Sequence, residues 1–383
     1  MKWNKFLENH KHIIPMKYYI IAGEASGDLH GSNLMKSILK KDSNAEFRFW
    51  GGDLMAAVAQ QEPVKHYRDL AFMGFIEVVQ NLGTILKNIK LCKKDIQAYR
   101  PDVLVLVDYP GFNLRIAQFA KSLGIRVVYY ISPQLWAWKE GRVKTIKQYV
   151  DDMLVILPFE KDFYKKHQIE AHFVGHPLLD AISDLKPIDT EQFRAEHQLN
   201  NNPIIALLPG SRKQEVEKML AMMLSVRSHF PDYQFVIAGA PSLPPSFYEK
   251  YVDDNVHFVS NKTYDLLRCS QAALVTSGTA TLETALLGIP EVVCYRGSAI
   301  SYAIAKRLVK HIRYISLVNL IMDREVVKEL IQNDLTTENL VKELNLILNE
   351  NRHRILEDYT ELRQKLGGKG ASDNAADIIV SKD

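Results

Sequence analysis

The sequence contains little cysteine and no long apolar run. Its three cysteines, Cys92, Cys269 and Cys294, lie far apart in 383 residues, and none belongs to a CxxC pair. This spacing disfavours a disulfide framework or a zinc site and is typical of a protein kept in a reducing cytosol. No apolar stretch reaches the roughly 18 residues that a membrane-spanning helix needs. The sequence therefore predicts a cytoplasmic protein without a membrane span.

A strong charge of one sign and the common nucleotide-binding fingerprints are also missing. The formal net charge is only +3, so the overall charge does not predict nucleic acid as a partner. Neither the P-loop pattern GxxxxGK[ST] nor the dinucleotide fingerprint GxGxxG occurs, which argues against a P-loop enzyme and against a dehydrogenase. Residues 1–15 lack the apolar core of a secretory signal and read as a polar extension, with Met16 as an alternative start.

Apolar strand-like runs alternate with helical patterns along the chain. Continuous Val, Ile and Leu runs separated by helices are typical of parallel sheets buried on both faces, so the predicted class is α/β, doubly wound. The polar segment 180–203 separates two groups of strands. We expect two Rossmann-like domains, 1–185 and 186–350, facing a cleft, with C-terminal helices in 351–383 that cross back to the first domain. The predicted strands are Tyr18–Ala22, Val103–Val107, Val127–Ile131, Met153–Leu157, Ile204–Leu208, Gln234–Ala238, Ala273–Val275 and Glu291–Cys294.

The loop after the first predicted strand, GEASGDLHG at 23–31, is rich in groups that bind ligands. In open α/β sheets, ligands bind beyond the carboxyl ends of the strands. Free backbone amides at the start of the following helix can hold a phosphate or a hydroxyl-rich ligand. A single polar residue would be enough to cap that helix. This loop carries four: Glu24, Ser26, Asp28 and His30.

Two further loops of the first half contain residue types that suit catalysis or ligand binding. In LVLVDYPGFN (104–113), Asp108 ends an apolar strand and can accept a proton from a substrate hydroxyl, whereas the alternative is a turn Asp before proline. Asn113 follows in the next helix. The segment 129–149 places aromatic rings beside cations, which suits sugar stacking and anion contact, or else a core packing beside a solvated basic face. Its members are Trp136, Trp138, Lys139, Arg142, Lys144 and Lys147.

The second half repeats this logic at two strand ends. In LLPGSRKQEV (207–216), Ser211 can cap the next helix and Arg212 can bind a phosphate through its planar guanidinium; the alternative is a plain helix start. In VTSGTATLE (275–283), small hydroxylated residues surround Gly278, and Glu283 can accept hydrogen bonds from ribose hydroxyls or complete a capping box. The hydroxylated residues are Thr276, Ser277, Thr279 and Thr281. Two ligand surfaces, one with an anion cradle, predict a two-substrate transferase.

These motifs resemble those of the lipid-A-disaccharide synthase family, which comprises inverting glycosyltransferases of the GT-B type. The resemblance runs from about residue 18 to the C-terminus. Two motifs depart from the usual family pattern: Gly111 stands where DxPDFN has its second acid, and Val318 replaces the proline of SLPN. The matching stretches are IAGEASGDLHG, MGFIEVV, YYISPQLWAWKEGR, FVGHPLLD, LLPGSRKQEV, TSGTATLE and YISLVNLIMDREVVKELIQ.

The resemblance implies transfer from UDP-2,3-diacylglucosamine to 2,3-diacylglucosamine 1-phosphate, giving the β-1,6-linked lipid A disaccharide 1-phosphate and UDP. It implies no cofactor and no metal. Asp108 is the expected base, Glu24 the second candidate, and Arg212 the group that stabilises the leaving diphosphate. The expected nucleotide contacts are Ser211, Arg212, Thr276, Ser277, Gly278, Thr279, Glu283 and Asn319, with Arg324 and Gln332 nearby. The expected contacts to the sugar and acyl groups are Ser26, Asp28, His30, Asn113, Met73 and Phe75.

A lipid substrate also implies a membrane surface. The segment 69–94 combines apolar residues near helical spacing with lysines, as in helices that lie on anionic membranes, although a core helix would show a similar apolar pattern. Segment 301–314 is a second candidate. We expect peripheral binding to the cytoplasmic face of the inner membrane, and a homodimer. The alternatives are a UDP-sugar enzyme with a soluble acceptor and a non-catalytic nucleotide-sugar-binding protein.

Overall fold

The computed structural model describes residues 15–70, 82–138, 140–297 and 313–381. The chain divides into two compact units. The first comprises residues 1–177 and 369–383, and the second comprises 178–368. The division after Pro177 lies ahead of the domain boundary expected at 185/186, which stays a prediction.

The first unit is built on a seven-stranded, fully parallel sheet with the strand order β3-β2-β1-β4-β5-β6-β7. Such an order has one switch point, between β1 and β4, where the direction of strand addition reverses. The strands are β1 (Lys17–Ala22), β2 (Glu46–Gly51), β3 (Lys65–His66), β4 (Val103–Val107), β5 (Arg126–Tyr130), β6 (Asp152–Val155) and β7 (Ala171–Phe173). The helices are α1 (Ala25–Lys41), α2 (Asp53–Ala59), α3 (Leu82–Tyr99), α4 (Pro110–Ser122), α5 (Leu135–Trp138), α6 (Val143–Tyr149) and α7 (Pro158–Lys166).

The second unit repeats the plan with six parallel strands in the order β10-β9-β8-β11-β12-β13 and a switch point between β8 and β11. The strands are β8 (Ile204–Leu208), β9 (Gln234–Gly239), β10 (Val256–Ser260), β11 (Ser270–Thr276), β12 (Glu291–Tyr295) and β13 (Lys328–Ile331). The helices are α8 (Pro177–Ser183), α9 (Thr190–Glu196), α10 (Lys213–Leu224), α11 (Thr263–Arg268), α12 (Thr279–Leu286), α13 (Leu317–Met322), α14 (Thr337–Leu348) and α15 (Arg352–Lys365). The predicted doubly wound α/β class with two Rossmann-like domains is confirmed.

Burial on both faces explains why the strands read as unbroken apolar runs. In β1, Tyr19 and Ile21 belong to one hydrophobic cluster, whereas Tyr18, Ile20 and Ala22 belong to the cluster on the opposite face. Because successive side chains of a strand point to opposite faces, both sets must be apolar when helices cover the sheet on each side.

One exception to this apolar pattern is Glu291, the first residue of β12. Its side chain is fully buried, and neither carboxyl oxygen has a hydrogen-bond partner among the described residues. Burial, and then the negative charge of Glu329, raise the pKa of Glu291 well above its usual range. Burial therefore favours the protonated, neutral form of this carboxyl group.

The chain ends with α16 (Ala371–Val380), which belongs to the first unit, whereas α15 belongs to the second. Ala375, Ala376 and Ile379 of α16 are buried in the cluster that also contains Leu34 of α1. The Arg126 guanidinium donates to the carbonyl oxygens of Ile378, Ile379 and Ser381 and pairs with Asp152 at 2.9 Å. Arg126 thus satisfies carbonyls at the end of α16 that lack partners within the helix.

We expect Arg126→Ala to lower the stability of the first unit by about 2 kcal/mol or more, because three carbonyl groups lose a charged donor. Thermal unfolding followed by circular dichroism measures this loss. Arg115→Ala is the matched control, since the Arg115 guanidinium donates to the Gly111 carbonyl within its own helix. Equal melting temperatures for the two variants would contradict this function of Arg126.

Candidate active site

Two acidic residues stand at the switch point of the first sheet. β1 and β4 are neighbours, with Ala22 paired to Val107, so Glu24 and Asp108 follow adjacent strand ends. Glu24 occupies the N-cap position of α1, but its side chain makes no capping hydrogen bond. Gly23 between strand and helix has no room for a side chain, because a Cβ there would overlap the Tyr109 ring. The acids expected at this edge therefore lie on neighbouring loops.

The backbone at Asp108 has an unusual conformation. Asp108 and the following Tyr109 both have positive φ angles, 43° and 48°, which side-chain-bearing residues seldom adopt. The Asp108 carbonyl oxygen accepts hydrogen bonds from the Tyr129 hydroxyl at 2.6 Å and from the Asn113 amide at 2.7 Å. Two consecutive strained residues held by buried partners are characteristic of functional turns. The Asn113 side chain supports this turn from a fully buried position.

The environment of Asp108 makes its carboxylate more basic than usual. Asp108 is accessible to solvent, yet the surrounding protein removes enough water to raise its pKa from near 3.8 to about 6, with the nearby negative charge of Glu24 as the second cause. Burial also raises the pKa of Glu24. A carboxylate that is accessible, ionised at neutral pH and unusually basic suits the role of a general base.

The other polar residues of the first loop have different surroundings. Ser26 is exposed. The Asp28 carboxylate is buried and accepts hydrogen bonds from the backbone amides of Gly52, Leu54 and Met55 at 2.7 to 3.1 Å. Asp28 therefore caps α2, a helix distant in sequence. His30 is buried in α1, and its binding role, like those of Ser26 and Asp28, stays a prediction.

The aromatic segment after β5 is partly described. The ring of Trp136 packs edge-on against Phe159 at 4.9 Å, and the Ser132 hydroxyl lies 2.8 Å from the Tyr164 hydroxyl. Glu160, also buried in this region, accepts hydrogen bonds from the amides of Ile156 and Leu157. Trp136 thus packs against an aromatic ring in a region that also contains the buried polar groups of Ser132, Tyr164 and Glu160. Lys139, and the predicted acyl contacts Met73 and Phe75, lie outside the described residues.

The second unit contains a cavity of about 530 Å³ at its own switch point. The ends of β8, β9 and β11 and the starts of α10 and α12 form its walls. Thr276 is buried there, and its hydroxyl has no hydrogen-bond partner among the described residues. The lining comprises Leu208, Gly210, Ser211, Arg212, Glu215, Ala238, Gly239, Ala240, Pro241, Thr263, Thr276, Ser277, Gly278, Thr279, Ala280 and Glu283.

Arg212 is the cation of this cavity. It occupies the N-cap position of α10, its side chain is exposed, and it forms no ion pair with another described residue. Gly210 adopts a φ of 105°, and a side chain there would overlap Glu215. The turn therefore brings Arg212 to the lining with its guanidinium available for an anion.

Glu283 is the acid of this cavity. It accepts a hydrogen bond from the Tyr264 hydroxyl at 3.1 Å, and burial raises its pKa. The helix α12 begins after Gly278, and its N-cap makes no side-chain hydrogen bond, so the capping-box alternative for Glu283 is wrong. An acid held at the wall of a cavity, one turn from free helix amides, suits recognition of hydroxyl groups beside a phosphate.

Two of the three residues expected near the nucleotide, Asn319 and Arg324, are engaged elsewhere in the second unit. The Asn319 amide is fully buried and makes four hydrogen bonds, to Val326, Val327 and Glu329. Arg324 pairs with Asp358 and Glu361. These three side chains, Asn319, Arg324 and Gln332, do not line the cavity. Direct nucleotide contacts by them stay predictions.

Part of the cavity wall was not anticipated. Gly239 ends β9, Ala240 and Pro241 follow it, and Thr263 begins α11. The sequence contained a signal for this wall, because AGAP (238–241) ends the apolar run of β9, and β9 is the parallel neighbour of β8, whose end also lines the cavity. Among the described residues, no group of three or more His, Cys, Asp or Glu is arranged to hold a metal ion.

The family model and the similar proteins found by sequence comparison all indicate the same family. The family model described as lipid-A-disaccharide synthetase matches residues 18–381. The lipid-A-disaccharide synthase of Syntrophus aciditrophicus is 40% identical over 373 residues, covering 94% of this chain and 96% of the relative. That of Geobacter metallireducens is 38% identical over 371 residues, with 94% and 96% covered.

A solved structure with a similar fold is the UDP-GlcNAc 2-epimerase of Neisseria meningitidis, bound to UDP-GlcNAc. Its TM-score is 0.67 at 15% sequence identity, and 96% of this chain and 100% of the epimerase are covered. Identity this low is informative about the fold alone. It agrees with two parallel-sheet α/β domains of the GT-B type.

Proposed function

The chain belongs to the lipid-A-disaccharide synthase family, and from that membership we propose how its residues carry out the reaction. The protein is a glycosyltransferase of lipid A biosynthesis. It joins UDP-2,3-diacylglucosamine to 2,3-diacylglucosamine 1-phosphate with inversion and releases UDP. The comparisons favour neither a soluble acceptor nor a non-catalytic function.

Asp108 is the proposed general base. In an inverting transfer the acceptor 6-hydroxyl attacks the anomeric carbon as UDP departs, and a base takes the hydroxyl proton. A carboxylate with a pKa of about 6 is more basic than an ordinary Asp and remains mostly ionised at pH 7 to 8. The position of Asp108 at the switch point of the first sheet, together with its raised pKa, is the observation that carries the assignment. Glu24 is the second candidate, because its pKa is raised at the adjacent strand end.

The cavity of the second unit is the proposed donor site. The amides that begin α12 and the Arg212 guanidinium suit the two phosphates of UDP, since both favour negative charge. As the glycosidic bond breaks, charge builds on the diphosphate, and these preorganised groups stabilise it. Glu283 would accept hydrogen bonds from the ribose hydroxyls, and at the same wall the Thr276 hydroxyl has no partner in the described part of the chain. These groups supply the charge stabilisation without a metal.

The assay that tests this function combines both lipid substrates with the purified protein, with and without EDTA. We expect UDP and the disaccharide 1-phosphate as products at equal rates in both conditions. A rate that collapses in EDTA and returns with a divalent cation would contradict the metal-free part. Absence of product for every acyl length, with turnover of a water-soluble acceptor, would contradict the lipid acceptor.

The exposed face of α3 is the proposed membrane contact. Leu86 and Leu91 are 59% and 44% exposed, and Lys87, Lys90 and Lys94 are exposed beside them. Apolar side chains flanked by lysines suit an anionic lipid surface. No helix within the described residues is both long and apolar enough to cross a bilayer. Parts of both predicted membrane segments lie outside the described part of the chain. These parts are residues 71–81 of the first segment and residues 301–312 of the second.

Reversing two charges on this face should weaken membrane binding. For Lys87→Glu combined with Lys90→Glu, we expect affinity for vesicles containing anionic phospholipid to fall about tenfold or more at low salt. Sedimentation with vesicles measures the bound fraction. Lys36→Glu, on an exposed position of α1, is the control and should bind like the unaltered protein. Equal vesicle binding by the unaltered protein and both variants would contradict α3 as the membrane contact.

A further inference from the structure

Glu329, on β13, holds a turn that the proposed reaction does not involve directly. Its carboxylate accepts hydrogen bonds from the Ile315 amide at 2.9 and 3.2 Å and from the Ser316 amide at 2.9 Å. The Asn319 side chain donates to the same carboxylate at 3.0 Å. One carboxylate thus fixes two consecutive backbone amides and a buried side chain, and hydrogen bonds to a charged acceptor are the stronger kind.

Asn319 secures the other side of this turn. Its side-chain oxygen accepts hydrogen bonds from the amides of Val326 and Val327 at 2.7 and 3.0 Å, and its nitrogen donates to the Val327 carbonyl at 2.8 Å. Val326 and Val327 directly precede β13. The start of α13 and the start of β13 are therefore joined through Asn319 and Glu329, and the position of residues 315–316 is determined by the sheet.

The fixed turn reaches the cavity through one hydrogen bond. The Ser277 hydroxyl donates to the Ile315 carbonyl oxygen at 3.3 Å, and the Ser277 amide donates to the Cys294 carbonyl at 3.2 Å. Ser277 lines the cavity directly before Gly278 and α12. Two hydrogen bonds therefore fix Ser277, and one of them ends at Ile315. Because Ser277 directly precedes Gly278 and α12, its position determines the direction of the first free amides of that helix.

We propose that Glu329 is a positioning residue for the donor site: it orients Ser277, and hence the amides that begin α12, through the turn at 315–316. This inference rests on the proposed donor site. Glu329 itself is not among the residues that line the cavity, so it acts without touching the nucleotide. A brace that served stability alone would have no selective effect on donor binding.

The test compares Glu329→Gln with the unaltered protein. Gln keeps the shape but replaces one acceptor oxygen by a donor, so at least one of the amide hydrogen bonds is lost. We expect the KM for the UDP-sugar and the Kd for UDP to rise about tenfold, the KM for the acceptor to stay unchanged, and the melting temperature to change little. Glu325→Gln is the matched control, because Glu325 is exposed and pairs with Lys328 at the surface.

A double-mutant cycle with Ser277→Ala separates positioning from bracing. If Glu329 acts through Ser277, adding Glu329→Gln to Ser277→Ala should cost little more than Ser277→Ala alone. Additive losses, or equal rises in both KM values, would overturn the inference. If Glu329→Gln melts below the assay temperature, Glu329→Asp is measured under the same criteria.

Calorimetric titration with UDP keeps the two proposals distinguishable. Failure of the unaltered protein to bind UDP, or binding that is indifferent to Arg212→Ala, would contradict the donor site itself. Tight UDP binding by the unaltered protein and an equal Kd for Glu329→Gln would overturn the positioning function alone.

Discussion

Asp108→Asn should reduce kcat by about 10²- to 10⁴-fold, the range that a general base contributes, while UDP binds with unchanged affinity. Asn has nearly the same shape but cannot accept the proton from the acceptor hydroxyl. Initial rates of UDP release measure the first effect, and calorimetric titration with UDP measures the second. Because the proposed donor site lies in the second unit, the substitution leaves its residues intact.

The pH dependence provides the internal check on this assignment. Protonation removes the base, so kcat/KM of the unaltered protein should fall about tenfold per pH unit below the Asp108 pKa of about 6 and level off above it. In Glu24→Gln the negative charge that helps to raise this pKa is gone, so the profile should shift to lower pH. An active Asp108→Asn protein would transfer the role of base to Glu24, and an inactive Glu24→Gln protein would support that transfer.

Arg212→Ala should lower kcat by about 10²- to 10³-fold, the loss seen when a preorganised group that stabilises transition-state charge is removed. Arg212→Lys should recover part of the rate, because an ammonium group keeps the charge but not the planar pair of donors. Steady-state kinetics with both substrates varied measure the two effects.

Lys213→Ala is the control for Arg212. Lys213 is the next residue and is exposed, but it does not line the cavity. We expect it to retain near-normal kcat. Equal losses at the two positions would indicate a general electrostatic effect of this helix start, and unchanged kcat in Arg212→Ala would remove Arg212 from the proposed mechanism.

The positions of the acids and of the anion cradle followed from one physical rule. Strands buried on both faces are unbroken apolar runs, so their ends are visible in the sequence, and ligands bind at those ends. Glu24, Asp108, Ser211 and Thr276 could be found in this way. Within the described residues, five strands escaped prediction because they are short or interrupted by polar residues, as Arg48 interrupts β2. They are β2, β3, β7, β10 and β13.

The functions of buried polar residues could not be predicted in the same way. Asp28 and Asn319 stand in motifs that favour ligand contacts, yet each is hydrogen-bonded to backbone groups of another segment. Such partners are set by tertiary packing, which the local pattern does not encode. The function of Glu329 could not be predicted for the same reason, because the backbone amides that it binds, those of Ser316 and Ile315, lie 13 and 14 residues earlier.

The carboxyl group of Glu291, which has no hydrogen-bond partner among the described residues, makes one part of the protein's stability fall with rising pH, whereas the activity rises. Its folded-state pKa is raised, so the folded protein holds this proton more tightly than the unfolded chain does. Considered on its own, this group therefore adds most to stability below about pH 4, and its contribution is lost as pH rises towards the raised pKa. Asp108 is mostly ionised only above pH 6, where that contribution is already reduced. Glu291→Met should remove this loss, so its melting temperature should exceed that of the unaltered protein by more at the working pH than in mildly acidic buffer.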